Sequence, residues 1–382
     1  MDFSLSPDQR EILDLVGQVA ERTLAPKAME RMQSHEPPRD NLRVLGETGI
    51  LGLHFPEEDG GSGRSALEIV MAIEAVGRAC PATSEWMVMS ATGPALFVSR
   101  LGSDHLKEKY IPGVIAGEQI CSISLTEPAA GSALTDLQTT AEVRGDKVVL
   151  NGSKIFCSFA PFADWFLVYV RFGPGTRGIG AVIVDRDTPG FTIGRTYHHM
   201  GGTPWAELHF QNAELPIENI LDEGDAFGSL MQSYTLERCS ASALVLGIAQ
   251  RALDASVEHV TQREQFGRPL IEFEMIQSKL ADMYIAIEQA RLLMYQAVSE
   301  PSGVPVRMVS SAAKVAASEA AAFVTDQAMQ LQGGAGMSTD TGLEWLYRIV
   351  RPHQVAGGTS EIHRSMIAAE LAGRKLSHRR SA

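Results

Sequence analysis

The chain has 382 residues, enough for two or three domains, and 45% of them are hydrophobic, which supplies real cores. A formal net charge of −13 and a pI of about 5.3 argue against nucleic acid or an anionic membrane surface as a general partner. The four cysteines (Cys80, Cys121, Cys157, Cys239) lack metal-ligand spacing, no apolar run nears the ~18–20 residues of a membrane helix, and Met1-Asp2-Phe3-Ser4 does not resemble a secretion signal, so a soluble, cytoplasmic, metal-free protein is expected.

Ser6-Pro7-Asp8-Gln9 predicts a helix start, with Ser6 as cap, Pro7 in the first turn and Gln9 closing a capping box. Ile12, Leu13, Val16, Val19 and Ala20 continue it as an apolar stripe. Further helices are predicted over 40–48, 65–76, 82–100 and 105–116, with Phe55–Gly63 a loop by composition. The texture then changes. Alternating and β-branched runs at 138–143, 147–150, 165–170, 180–184, 191–193 and 207–210 predict a small β domain, with a hairpin turn at Arg144-Gly145-Asp146. From Phe227 long helices return, at 227–263, 272–299, 305–331 and 360–371. Small residues such as Ala313, Ala317 and Ala321 allow close helix contact there. The expected domains are an N-terminal α-helical domain (1–118), a middle β domain (119–225) and a C-terminal helical bundle (226–382), in α, β, α order.

Five short motifs are candidates for chemistry. Cys121-Ser122-Ile123-Ser124-Leu125-Thr126-Glu127-Pro128-Ala129-Ala130-Gly131-Ser132 is small and turn-rich, and brings backbone N–H groups close to a flat or charged ligand. Asn151–Ser158 follows the predicted hairpin, so the two stretches are expected to face each other across one site. Arg263-Glu264-Gln265-Phe266-Gly267 ends a long helix, where an Arg also suits the helix dipole and Gly267 is an ordinary stop. Gln330-Leu331-Gln332-Gly333-Gly334 is a glycine turn with no strand before it, hence not a dinucleotide-binding fingerprint. In Gly357-Gly358-Thr359-Ser360-Glu361, the glycines permit close approach and Thr359 or Ser360 caps the last helix.

Together these motifs closely resemble the acyl-CoA dehydrogenase family, over essentially the whole chain. The resemblance implies that family's α+β fold, with a four-helix bundle at the C-terminus, and FAD as cofactor. It assigns FAD contacts to Leu125, Thr126, Ser132, Phe156, Ser158, Arg263, Phe266, Gln330, Gly333, Gly334, Thr359 and Glu361, with Arg263 reaching the pyrophosphate from a neighbouring subunit. It assigns substrate contacts to Ser132, Thr235, Arg238, Ala356 and Gly357. A homo-oligomer, dimer or tetramer, is implied. Many relatives place a catalytic Glu just before Gly-Thr, and here that position is Gly357. Isovaleryl- and long-chain-type members place the base on a helix, which points to Glu237 in Leu236-Glu237-Arg238. A buried carboxylate there has its pKa raised, which suits removal of a weakly acidic α-proton. Read alone, Glu237 and Arg238 are also an ordinary helical charge pair.

Several positions depart from the family pattern: Ala133 for Asp, Phe156 and Ser158 for Trp and Thr, bulky Phe159 and Phe162, Ile349 for Asp, Glu274 for Gln, and the segment Tyr197–Trp205. His198 and His199 in that segment are expected to be exposed loop residues. Three readings therefore stand at this point. The first is α,β-dehydrogenation of an acyl-CoA, with electrons passing to an electron-transfer flavoprotein. The second is an oxygen-using flavin oxidase or monooxygenase on the same fold. The third is a catalytically silent FAD-binding subunit of a hetero-oligomer.

Overall fold

The computed structural model describes residues 5–224, 227–300 and 304–373. Met1–Ser4 and the 225/226 domain boundary lie outside the described residues.

The chain opens with a helical layer: α1 (Pro7–Val19), α2 (Ala28–Gln33), α3 (Arg39–Glu47), α4 (Ala66–Ala79), α5 (Pro81–Thr92), α6 (Pro94–Leu101) and α7 (Asp104–Ile115). Ser6 and Ser65 each form a full capping box, with Gln9 and Glu68 respectively, so both helix starts are set by local sequence. The single helix predicted over 82–100 is two. Gly93 leaves helical geometry (ψ −143°) and Pro94 opens α6, because a residue before proline is pushed out of the α region and proline has no N–H to continue the ladder.

The middle of the chain is one mixed sheet. Its strands are β1 (Cys121–Ser124), β2 (Thr140–Arg144), β3 (Lys147–Ser158), β4 (Trp165–Arg171), β5 (Ile179–Asp185), β6 (Phe191–His198), β7 (Pro204–Pro216) and β8 (Ile220–Asp222). The order is β6-β7-β3-β2-β4-β5-β8, with β1 added parallel to β4. The strand after the predicted hairpin runs to Ser158 rather than stopping at Leu150, so the whole Asn151–Ser158 motif lies on a strand. Alternate residues of β4 serve two cores. Trp165, Leu167 and Tyr169 face the helices, while Phe166, Val168 and Val170 fill the interior of the β domain.

Long helices complete the fold: α8 (Phe227–Gln262), α9 (Glu274–Val298), α10 (Arg307–Gln332), α11 (Leu343–Val350) and α12 (Ser360–Leu371). A two-residue hairpin, β9 (Glu264–Gln265) and β10 (Arg268–Pro269), joins α8 to α9. Helices α8 and α10 run side by side, with a buried alanine row on α10 (Ala313, Ala317, Ala320, Ala321, Ala328). Helix α4 crosses α8 so closely that a Cβ on Gly247 would lie 2.2 Å from the Glu74 carbonyl oxygen. The contact needs glycine and welds the N-terminal helices to the bundle. Helix α11 is additional to the predicted helices. Its Leu343, Leu346 and Val350 are buried at helical spacing, the signal that could have found it.

Candidate active site

The two motifs of the β domain do not face each other. They lie edge to edge and form one ledge. The Ile155 amide donates to the Thr126 carbonyl (2.9 Å), and Ser122 Oγ donates to the Ser158 carbonyl (2.7 Å). Beneath them Glu127 and Lys154 form a buried ion pair (2.7 Å), and Lys154 Nζ also donates to the Leu125 carbonyl. Glu127 accepts from the Gln138 and Thr139 amides as well. Burial pushes the Glu127 carboxyl up, but Lys154 and these donors outweigh it and hold it below its ordinary value. Sequence reasoning passed over this pair. A Glu and a Lys 27 positions apart leave no local pattern.

The ledge ends in a bulge. Between Lys154 and Cys157 the pairing with β7 slips, and Phe156 takes a left-handed conformation (φ 55°). A bulky residue rarely does so, at a cost of about 1–3 kcal/mol. The twist leaves the Phe156 ring 49% exposed, edge-on to Tyr197 and Trp205, whose centroids lie 6.0 and 5.3 Å away. The Tyr197 hydroxyl accepts the Phe156 N–H (3.3 Å). Leu125, Thr126 and Ser158 are half-buried beside it, and Ser132 is exposed. Phe159 also has positive φ (62°), but it is buried against Trp86 (4.1 Å), so it packs and does not border the open ledge. Ala133 is exposed and Ile349 is fully buried in the core.

The second cluster forms where α8, α10 and the turn before α12 meet. Glu237 keeps some solvent contact, yet its Oε2 is sealed and has no hydrogen-bond partner among the described residues. Burial raises its pKa, and Arg238 and Lys314 oppose that rise. A Cβ on Gly357 would stand 3.7 Å from Glu237 Oε2, so the two positions border the same space. Arg238 Nε donates to the Gly357 carbonyl (3.4 Å), and His363 Nε2 contacts the same oxygen (3.1 Å). Thr359 caps α12 through the Ile362 amide (3.2 Å), with Glu361 exposed in the first turn and Ala356 exposed before Gly357. Thr235 is buried and its hydroxyl turns back onto the Gln232 carbonyl (2.6 Å). Tyr169 connects this cluster to the ledge. It follows Val168, the β4 partner of Ser124, and its buried hydroxyl is pushed well above its ordinary pKa by burial and the nearby Glu237.

The remaining candidates lie elsewhere. Arg263 follows α8 directly, 26 residues beyond Glu237, or about 39 Å along the helix at ~1.5 Å per residue. Gln330, Gly333 and Gly334 sit at the same distal end of the bundle, where Gln332 Nε2 reaches the Ala255 carbonyl (3.5 Å). All are exposed, and Phe266 (φ 53°) is 94% exposed. One chain does not bring these residues to Glu237.

The His199 expectation fails. His198 is exposed and stacks on His35 (4.3 Å), but the His199 side chain is only 8% exposed. It lies 3.9 Å from a buried Glu85, which accepts from Thr203 and is pushed up to about 8 by burial. Residues of α5 and the 199–203 turn create this pocket, which only tertiary packing reveals. No group of three or more His, Cys, Asp or Glu among the described residues could hold a metal. No described helix is long and apolar enough to cross a membrane.

Three family profiles cover the chain: acyl-CoA dehydrogenase N-terminal domain (6–118), middle domain (122–213) and C-terminal domain (224–372). The chain is similar to the acryloyl-CoA reductase (NADH) of Anaerotignum propionicum, with 37% identity over 97% of this chain and 96% of that protein. It is similar to the solved structure of butyryl-CoA dehydrogenase from Megasphaera elsdenii, with TM-score 0.92, 34% identity, and 97% and 100% of the two chains covered. It is also similar to the FAD complex of PigA, with TM-score 0.93, 29% identity, and 97% and 99% covered. The chain belongs to the acyl-CoA dehydrogenase family. It is an FAD-dependent oxidoreductase acting on acyl-CoA thioesters.

The residues fit that cofactor. Added Cβ atoms at Gly131, Gly333 and Gly334 meet nothing within 4 Å, which leaves open backbone for a ligand, and Phe156 presents an exposed ring for a flat partner.

Proposed function

We propose that the protein removes the α-proton of an acyl-CoA thioester with Glu237, as the first half of α,β-dehydrogenation. The observation that carries this reading is the sealed, unpartnered Oε2 of Glu237 beside Gly357. Where many relatives carry a Glu, this chain has no side chain, and the carboxylate arrives from α8 into the same space. A buried carboxyl without a hydrogen-bond donor is a stronger base than an exposed one, because desolvation disfavours its charge. The Glu237 carboxylate accepts the α-proton, and a hydride leaves the β-carbon. FAD, when bound, supplies the two-electron acceptor for that hydride. Leu125, Thr126, Ser132, Phe156, Ser158, Thr359 and Glu361 of one chain flank the reacting end of the cofactor. Arg263, Phe266, Gln330, Gly333 and Gly334 hold its adenosine-diphosphate end from a second copy, so the active form is a homo-oligomer. An Arg fork matches phosphate geometry. Ser132, Arg238, Ala356 and Gly357 border the substrate, and Thr235 supports the α8 turn that carries Glu237. Electrons then pass to an electron-transfer flavoprotein.

The test is anaerobic bleaching of the bound flavin by a panel of acyl-CoAs, with wild type and Glu237→Gln. Bleaching slowed by about 10²–10⁴-fold in the variant, at unchanged flavin content, is expected. Unchanged bleaching removes Glu237 as the base. Admitting air to the reduced enzyme separates the acceptors: persistence of reduced flavin for minutes fits a protein acceptor, and rapid reoxidation points to oxygen.

A further inference from the structure

Gly357 and Gly358 form a turn with positive φ at both residues (67° and 101°), and both carbonyls are tied down. Arg238 and His363 take the first. Lys314 takes the second: Nζ donates to the Gly358 carbonyl at 2.5 Å. Lys314 is 4% exposed and reaches the turn from α10, a different helix from the one that carries Glu237. The register of the two helices explains the meeting. Gln332 of α10 touches Ala255 of α8, and 18 residues earlier on each helix stand Lys314 and Glu237. Each of these two groups lies within the other's electrostatic reach.

We propose that Lys314 is the positioning residue for the base. It anchors the Gly357–Gly358 turn and supplies a positive charge that keeps Glu237 in its carboxylate form inside a site that burial would otherwise neutralise. This rests on Glu237 being the base. Arg238 is the other cation acting on Glu237, and the stronger of the two, but it holds the Gly357 carbonyl from α8 itself, whereas Lys314 holds the Gly358 carbonyl from a different helix. The other titratable or charged groups around the pair are Tyr234 on α8, Tyr169 on β4, Glu319 on α10, His353 after α11, and Glu361 and His363 on α12. Burial pushes His353 down to about 3 and His363 down to about 4, so both are neutral near pH 7 and add no charge there. Tyr169 and Tyr234 are held in the neutral phenol form. Glu319 is committed to Arg364 (2.7 Å). Lys314 and Arg238 are therefore the two cations acting on Glu237, and Lys314 is the one that also holds the facing turn. Burial brings Lys314 itself down to about 8, while Glu237 opposes that fall, as expected of two buried groups that titrate together.

The experiment is single-turnover flavin reduction by the most active acyl-CoA, followed across pH with the holoenzyme. Lys314→Gln keeps a hydrogen-bond donor but loses the charge, Lys314→Met loses both, and Lys314→Arg keeps both. With Gln and Met, the acid limb of the rate profile is expected to move up by about one pH unit, an approximately tenfold slower rate on that limb. With Arg the limb is expected to stay within about 0.3 unit of wild type, on the same scale. An unmoved limb in Gln or Met overturns the proposal. If neither uncharged variant retains flavin, a displaced limb in Arg overturns it and an undisplaced one supports it. Glu237→Gln is run alongside. If that variant bleaches at the wild-type rate, the base assignment fails. If it is dead while the Lys314 variants keep the wild-type limb, only the role of Lys314 fails.

Discussion

Two positions along α8, Glu237 in its first third and Arg263 just past its last residue, differ in what surrounds them. Around Glu237 the chain is closed: a sealed oxygen, three anchored contacts on the glycine turn, and a buried ion pair stiffening the adjacent ledge. About 39 Å away along the helix, the Arg263 hairpin and the Gln330 turn are open, and Phe266 is almost fully exposed. A left-handed, exposed Phe at a hairpin tip is a poor way to end a helix in an isolated subunit, since it buries nothing. On the function proposed above, the closed end holds the base within one chain while the open end offers the far half of the cofactor contact outward. Proton abstraction needs a dry, fixed geometry, which a single core provides. Phosphate contact needs only charge and reach, which on the same proposal a second copy provides.

The largest expected effect tests the rigidity of the closed end. Lys154→Met strands the Glu127 carboxylate and is expected to cost about 3–5 kcal/mol of stability, read by denaturant unfolding. The sign with pH is fixed. The Glu127 pKa lies below its unfolded value, so its stabilisation is present above about pH 4.5 and is lost as pH falls through the folded value. The variant should therefore show a smaller loss of stability on acidification than wild type.

A smaller effect tests the open end. Arg263→Ala is expected to weaken FAD binding by about 1.5–3 kcal/mol, the range of a charge-assisted hydrogen bond, measured by flavin fluorescence. Co-assembly of Arg263→Ala with Glu237→Gln should then restore part of the bleaching that each lacks, because a mixed pair joins an intact Glu237 to an intact Arg263. No recovery would mean that both residues serve the same chain's cofactor, and the division drawn above would collapse.

The smallest effect sharpens the contrast. Phe266→Ala should change subunit unfolding by no more than about 0.5 kcal/mol, as for an exposed surface residue. The same change should lower the oligomer-to-subunit ratio in dilution sedimentation. A large loss of subunit stability instead would show the hairpin to be part of the chain's own core.

Much of the fold was legible because its signals are local. The capping box at Ser6, turn chemistry at Arg144-Gly145-Asp146 and the long helical runs of α8 to α10 depend on residues a few positions apart. The break at Gly93-Pro94 has a local cause in the sequence as well, a glycine followed by a proline. Glu237 was legible as a candidate by its coincidence with Gly357. Its sealed oxygen was not, since desolvation is a property of everything packed around a group.

By itself, then, the sequence determined the α, β, α order, the helix caps and the residue types available to a flavin and a thioester. These follow from dihedral preference and side-chain chemistry. Only the tertiary structure decided that the two β-domain motifs share an edge, that the His199 side chain packs beside Glu85, and that Lys314 holds the glycine turn facing Glu237. Each of these depends on which residues distant in the chain become neighbours, and on how much water their packing excludes.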